Sequence, residues 1–409
     1  MRQKISRPFQ SVMRLAMYVL PWRMPETLEG AGAIRKLPAF IKEKGNQHVF
    51  IVTDKTLMNL HLLDDMLAAM DEIALPYVLF DKVTPNPTDV CVEEGVALYK
   101  KHQCDAIIAF GGGSPMDCAK GVAARIARPN KTIKQLQGVL RVLRPVPTIY
   151  AVPTTAGTGS ETTIAAVITC VKDHHKASIN DICIMPKYAV LDPELTMGLP
   201  PHITATTGMD ALSHAVEAYT NNTYNTKLEK DLAKKAVKLI YENLEVVYKD
   251  GSNLEARQNM QLAAFYAGRA FSRGSVGYVH AIGHALGGLY NTPHGVAMSS
   301  LLPLVMKQYG KAAHLRLAEL YDASGMNRGA HTTEEKANAL IAWMEEMNTH
   351  MNIPMYPPAL ELKDIDEIAE RAYKEGNPLY PTPVTWSKDD FKRFLREIHA
   401  NKSFAEQSK

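Results

Sequence analysis

Three of the fourteen histidines fall within residues 277–295, which read GYVHAIGHALGGLYNTPHG. His280 and His284 are four residues apart, so on a helix both rings lie on one face, one turn apart. His294 stands between Pro293 and Gly295, which predicts a turn just past the end of that helix. Upstream, GMDALSHAVEAY at 208–219 spaces Asp210 and His214 by four, again on one helical face. Neutral imidazole is the commonest metal ligand, and one carboxylate with three imidazoles suits Fe(II) or Zn(II). Spacing alone leaves open which four of Asp210, His214, His280, His284 and His294 bind. His174 and His175 lie among charges on a hairpin and read as solvent-exposed, while His202 falls in a turn between domains.

A second chemistry resides in glycine-rich loops. The apolar run DAIIAF at 105–110 is followed by GGGSPMDCAKG at 111–121. Three glycines let backbone approach a ligand closely. Ser114 is expected as N-cap, Pro115 at the first helical position and Asp117 in the first turn. A strand, a bare loop and a helix N-terminus with unpaired N–H groups together form a phosphate cradle. A further strand at 149–153 leads into PTTAGTGSE at 153–161, whose hydroxyls and glycines suit a second polar wall of a nucleotide cleft. Asp54 closes the apolar run HVFIVTD at 48–54, where a carboxylate can accept from a ribose 2′-hydroxyl and repel a 2′-phosphate. This favours NAD(H) over NADP(H). The acid precedes the glycine loop here, the reverse of the usual dinucleotide fingerprint.

The elements that must position these groups change character along the chain. An edge strand is expected at 24–30, helices at 31–44, 57–73 and 88–102, and strands at 48–54, 77–80, 105–110, 149–153 and 188–192, with Lys176 in a further strand region. Alternating strands and helices predict a parallel α/β sheet. Beyond Pro200-Pro201 helices dominate, at 204–219, 227–248 and 255–271, followed by the histidine helix. Thr332 and Glu335 make a capping box before a stripe of Ala337, Leu340, Ile341, Met344 and Met347. Ser387 caps a last helix after a proline-rich loop at 377–386. The expected division is an N-terminal extension at 1–23, an α/β dinucleotide-binding domain at 24–200 and an all-α metal-binding domain at 201–409.

Composition narrows the class. The chain has 409 residues, 46 % of them apolar, 22 % charged, and a net charge of +3. That is an ordinary globular composition, with no basic block for nucleic acid and no run of membrane-spanning length. Five cysteines form no CxxC pair and read as reduced thiols of a cytoplasmic protein. Residues 12–20 are apolar, interrupted by Arg14 and preceded by Arg2, Lys4 and Arg7. They predict a short amphipathic helix packed on the body or on a partner subunit, without stable membrane insertion.

Together, GGGSPMDCAK, PTTAGTGSE, GMDALSHAVEAY and GYVHAIGHALGGLYNTPHG resemble, in order and spacing, the iron-containing (group III) alcohol dehydrogenases. The resemblance covers about residue 24 to the C-terminal helix. It implies a Rossmann-like, parallel-sheet N-terminal domain and a helical C-terminal domain, the dehydroquinate synthase-like architecture, with the metal in the cleft between them. It further implies Asp210, His214, His280 and His294 as ligands of Fe(II), zinc being the alternative. His284 is implied as the proton-relay group. Asp54, Asn86, Gly112, Gly113, Ser114, Thr154, Thr155, Thr158 and Lys176 match the dinucleotide-contacting positions. The reaction implied is hydride transfer between a primary alcohol or aldehyde and NAD(P), in a homodimer or larger homo-oligomer. Where the family motif usually continues PHGxAN, Met298 stands in place of the asparagine.

Two other readings share parts of this pattern. An NAD- and metal-using lyase of the dehydroquinate synthase-like fold needs several basic residues to grip a phosphorylated acid, and the histidine helix is flanked mainly by apolar groups. A metal-binding regulator without turnover would not need both the metal set and the phosphate loop. Phe271, Tyr278 and Tyr373 are candidates to line the substrate space.

Overall fold

The computed structural model describes residues 2–172, 175–221 and 223–407. The chain forms two compact units: Pro21–Leu199 with Ser252–Gly268, and Met1–Leu20 with Pro200–Gly251 and Arg269–Lys409.

The first unit is built on a parallel six-stranded sheet. Its order is Glu26–Glu29, Tyr188–Leu191, Thr148–Pro153, Ala106–Gly111, Val49–Val52 and Tyr77–Phe80. The strands Val49–Val52 and Ala106–Gly111 are buried throughout, as their unbroken apolar runs require in a sheet covered on both faces. Register fixes the site: Gly111 pairs with Pro153, and Ala109 with Val52. The glycine loop, the threonine loop and Asp54 therefore leave the carboxyl ends of three neighbouring strands, where open α/β sheets bind ligands. A separate three-stranded sheet, Gly138–Val139, His175–Asn180 and Ala165–Cys170, holds Lys176 in the strand expected there, antiparallel to Ala165–Cys170, and adds the pairing of Gly138–Val139, which has no sequence signal.

One element differs from expectation. The helix expected over 57–73 is two helices, Lys55–Asn59 and Asp64–Glu72, broken where His61 takes φ 57°. Leu60 in the break is exposed, while Leu63, Met66 and Met70 are fully buried in the core.

The second unit is helical among the described residues. The Thr332–Glu335 capping box forms, and the stripe Ala337, Leu340, Ile341, Met344 and Met347 is buried. Ser387 accepts from the Asp390 N–H at the start of Lys388–Gln407. The N-terminal helix, Arg2–Val19, is longer than its apolar patch suggested and packs by its polar edge. Ser6 and Gln10 are buried, whereas Val12, Leu15 and Val19 are 70, 72 and 80 % exposed. No helix among the described residues is long and apolar enough to cross a membrane.

Candidate active site

Three helices of the second unit bring four candidate ligands together. Asp210 and His214 lie on Pro201–Thr220 and His280 on Tyr278–Tyr290. His294 is not in a turn but opens a new helix, His294–Tyr309, with Pro293 as N-cap at φ −55°. The histidine helix ends where Asn291 takes φ 53°, and proline's fixed φ then starts the next helix within one residue. One potential ligand atom from each of Asp210, His214, His280 and His294 lies within 4.8 Å of the others. His284 falls outside this group, its ring centred 5.7 Å from that of His280 and 5.5 Å from that of His294.

The donor set fits a cation. Asp210 Oδ1, His214 Nδ1 and His280 Nε2 are buried and make no hydrogen bond, with His294 Nε2 approaching Asp210 Oδ1 to 3.3 Å. Three such atoms in one cluster would be costly unless a positive ion satisfied them. Burial alone would raise the Asp210 carboxyl, but His214, His294 and His280 outweigh it and hold the group well below the usual carboxylate range. Burial pushes His214 down to about 3 and His280 well below its ordinary value, so both imidazoles are neutral and able to ligate.

A second carboxylate supports the first ligands. Glu217 Oε2 lies 2.5 Å from His280 Nδ1, and Glu217 Oε1 accepts from the Val279 N–H at 2.8 Å. Burial raises Glu217 to about 7, against the opposing backbone N–H groups of Gly277 and Val279. A cation at Nε2 favours the form with the proton on Nδ1 and the charge on Glu217, which fixes the imidazole's tautomer and angle. Glu217 lies inside the GMDALSHAVEAY motif, but its role depends on the approach of a second helix that no local pattern encodes. Its signal was an acid on a helix otherwise apolar at that turn. The Phe271 ring stacks on His214 at 4.2 Å. Tyr278 is instead fully buried against Trp386 and Phe391, and the Tyr373 hydroxyl accepts from the Gln3 N–H.

His284 has a carboxylate of its own. Its Nδ1 lies 2.7 Å from Glu375 Oε1, which also accepts from the Tyr380 hydroxyl at 2.8 Å. Burial would raise Glu375, but His284 and Tyr380 leave it below its ordinary value, hence an anion that accepts from Nδ1–H. Neither Glu375 nor Tyr380 carries any local sequence signal, because only the tertiary fold brings them to residue 284.

In the first unit, the glycine loop departs from expectation by two residues. The helix begins at Gly113 with Gly112 as N-cap, so Ser114 lies inside the first turn and no side chain caps the helix. The bare N-terminus keeps its backbone donors for a ligand. Gly111 has φ +142°, and a Cβ there would lie 2.6 Å from Pro115 Cγ. A Cβ on Gly112 would meet Thr155 Oγ1 at 3.5 Å, and one on Gly113 would meet Thr158 Cγ2 at 3.3 Å, so the two loops run side by side. The Thr154 N–H donates to the Gly111 carbonyl. Lys120, fully buried, ties the loops together: its Nζ donates to the Ser160 carbonyl and hydroxyl at 2.7 and 3.0 Å and to Thr163 Oγ1 at 2.7 Å. Asp54 caps the helix Lys55–Asn59 through the Leu57 N–H at 3.0 Å. Asn86 is exposed at φ 58°. Lys176 sits in a strand opposite Thr169, its side chain outside the described residues, as are all of His174 and the side chain of His175.

Known proteins share both halves. Residues 25–193 match the family described as iron-containing alcohol dehydrogenase, and residues 204–399 its C-terminal part, described as Fe-containing alcohol dehydrogenase family, C-terminal. The 1,3-propanediol dehydrogenase of Klebsiella pneumoniae is 39 % identical over 81 % of this chain and 87 % of its own length. The NAD-dependent methanol dehydrogenase of Bacillus methanolicus is 36 % identical over 86 % of this chain and 92 % of its own. A crystal structure of 1,3-propanediol oxidoreductase superposes with a TM-score of 0.88 at 34 % identity, covering 93 % of this chain and all of that one. The chain belongs to the iron-containing alcohol dehydrogenase family. It is an NAD-linked oxidoreductase that interconverts alcohols and aldehydes, with iron as the family's metal.

Proposed function

We propose that Asp210, His214, His280 and His294 hold one divalent iron, that His284 moves the proton, and that NAD(H) lies against Asp54, Asn86, Gly112, Gly113, Ser114, Thr154, Thr155, Thr158 and Lys176. Residues 24–200 serve as the dinucleotide half and 201–409 as the metal half. The observation that supports the metal assignment most is the convergence of three buried atoms that make no hydrogen bond, on Asp210, His214 and His280. Zinc is the second choice, because the donor set accepts either ion.

Bound iron supplies Lewis acidity at the substrate oxygen, and the nicotinamide supplies the hydride acceptor or donor. The chain's own groups do the rest. Asp210 contributes the negative charge that favours a dication over a monovalent ion. Glu217 holds the His280 ring so that Nε2 faces the cluster. With Glu375 on its Nδ1, His284 keeps Nε2 as the basic nitrogen, which takes the hydroxyl proton in oxidation and returns it in reduction. A fifth protein ligand would fill the position the substrate needs, which is why His284 is assigned to proton transfer.

The substrate class is primary alcohols and aldehydes. The relatives named for 1,3-propanediol and methanol make short, unbranched alcohols the first to try. The cysteines, all thiols, support a cytoplasmic protein, and the exposed Val12, Leu15 and Val19 support a homo-oligomer that covers them. Sedimentation of Val12→Lys should show a smaller species than the wild type.

Metal analysis with an NADH assay tests the central reading. His280→Ala and His294→Ala should lose both metal and turnover, while His284→Ala should keep its metal and lose turnover. A metal-free His294→Ala protein with full activity would overturn the ligand assignment. Loss of the ion in His284→Ala would make that residue a ligand instead.

A further inference from the structure

From the N-terminal helix Arg2–Val19, the side chains of Arg2, Gln3, Arg7 and Gln10 bond one segment of the chain, residues 373–385. Arg2 Nη1 donates to the Lys374 carbonyl at 2.7 Å and Gln3 Nε2 to the Thr385 carbonyl at 3.0 Å. Arg7 Nη2 donates to the carbonyls of Thr382 and Pro383 at 2.8 and 3.0 Å. Gln10, 1 % exposed, donates from Nε2 to the carbonyls of Pro378 and Tyr380 at 3.0 and 2.9 Å. The Ser6 hydroxyl, which donates to the Arg2 carbonyl at 3.0 Å, lies 3.4 Å from Asn377 Oδ1, an oxygen that accepts from the Tyr278 hydroxyl on the histidine helix. These bonds satisfy carbonyls that a loop leaves without regular partners, and they fix the loop's path.

That segment is the one that reaches His284. Glu375 lies in the last turn of the helix Ile365–Gly376 and Tyr380 in the following loop; Glu375 Oε1 meets His284 Nδ1 and accepts from the Tyr380 hydroxyl. An imidazole bonded at one nitrogen has its tautomer and ring angle set by that bond. The helix therefore acts on His284 at one remove, by holding the backbone that carries its partners.

We propose that Glu375 and Tyr380 are positioning residues for His284, and that the N-terminal helix is a strap that keeps them in place. The proposal rests on His284 being the proton-transfer group. It gives the first twenty residues a part in turnover without contact with the reacting atoms.

The test uses the metal-loaded full chain and reads kcat, KM, the pH dependence of kcat, metal content and thermal stability. Glu375→Ala should lower kcat about 10- to 100-fold with metal content unchanged. It should also move the acidic limb of the kcat profile to lower pH, since the imidazole loses an adjacent anion. Glu375→Gln, which keeps an acceptor in place, should recover most of kcat but not the position of that limb. Tyr380→Phe should give a smaller loss of the same kind. Gln10→Ala should lower kcat by several-fold in the wild type, and by nothing further in a Glu375→Ala background, because it acts only through that group. Wild-type kcat and pH profile in Glu375→Ala, together with an inactive His284→Ala, would overturn the positioning role alone. A metal-replete His284→Ala protein with wild-type turnover would overturn the underlying reading of His284. Losses in Glu375→Ala that merely track lost metal or a lowered melting temperature would overturn the proposal too, as would additive effects of Gln10→Ala and Glu375→Ala.

Discussion

The His280 imidazole and the Glu217 carboxyl meet at 2.5 Å, both 3 % exposed or less, on two different helices. Burial favours the neutral form of each, raising Glu217 to about 7 and lowering His280. Without a metal the pair therefore holds a proton below about pH 7 that must leave before Nε2 ligates with Glu217 as an anion. Metal affinity should climb with pH up to about 7 and then level off. Glu217→Gln should weaken binding about 10- to 100-fold and flatten that climb. Metal titrations at several pH values check both, and an unchanged pH dependence in Glu217→Gln would remove Glu217 from the account.

Met298, which stands where the family motif has asparagine, is fully buried against the histidine helix. A Cβ on Gly283 would lie 1.9 Å from the Met298 methyl. Gly283→Ala should therefore destabilise the protein by about 1–3 kcal/mol through overpacking beside His280 and His284. Met298→Ala in the same chain should restore much of the loss, because the methyl is a flexible end that can be removed. Denaturant unfolding of the two single variants and the double variant measures this coupling, and additive effects would show that the two side chains do not compete for that space.

Asp54 is expected to set the cofactor preference. One of its oxygens caps the helix Lys55–Asn59, which also fixes the carboxylate's direction at the strand end. Asp54→Gly should raise kcat/KM for NADPH relative to NADH by tenfold or more, an electrostatic effect worth about 1.4 kcal/mol per tenfold. The stability cost should be a few tenths of a kcal/mol, since glycine is itself a fair cap. A wild-type enzyme that prefers NADPH in steady-state kinetics would refute this role.

Glu161 gives a pH signature separate from the metal. It is 2 % exposed, and burial raises its carboxyl to about 7 from an ordinary 4.5. Below 4.5 the folded and unfolded chains both hold the proton and this contribution to stability is complete; it is lost as the pH rises through about 7. Lys120, lowered by burial to about 8 from 10.5, has the opposite sense: its contribution is complete above 10.5 and lost as the pH falls through 8. The melting temperature of the wild type should therefore fall relative to Glu161→Gln between pH 4.5 and 7. Parallel melting curves for the two across that range would contradict the raised Glu161.

What the sequence determined by itself was whatever depends on near neighbours in the chain. The buried runs 48–54 and 105–110 read as central strands because a covered parallel strand needs apolar residues on both faces. The spacing of Asp210 and His214 put both on one face because helical period is a local property. The Thr332 capping box and the Ser387 cap were legible for the same reason. Local rules erred by a few residues where a cap or break depended on packing, as at Ser114, His61 and His294. Only the tertiary structure decided which atoms meet. It placed His284 beside the four-residue group rather than within it, and it brought Glu375, ninety or more positions along the chain, onto His284, with Tyr380 onto Glu375. It also turned the polar edge of the N-terminal helix inward to hold that segment. Hydrogen bonds act over about 3 Å of space and are indifferent to separation in sequence, so partners supplied by distant segments leave no pattern a local reading can find.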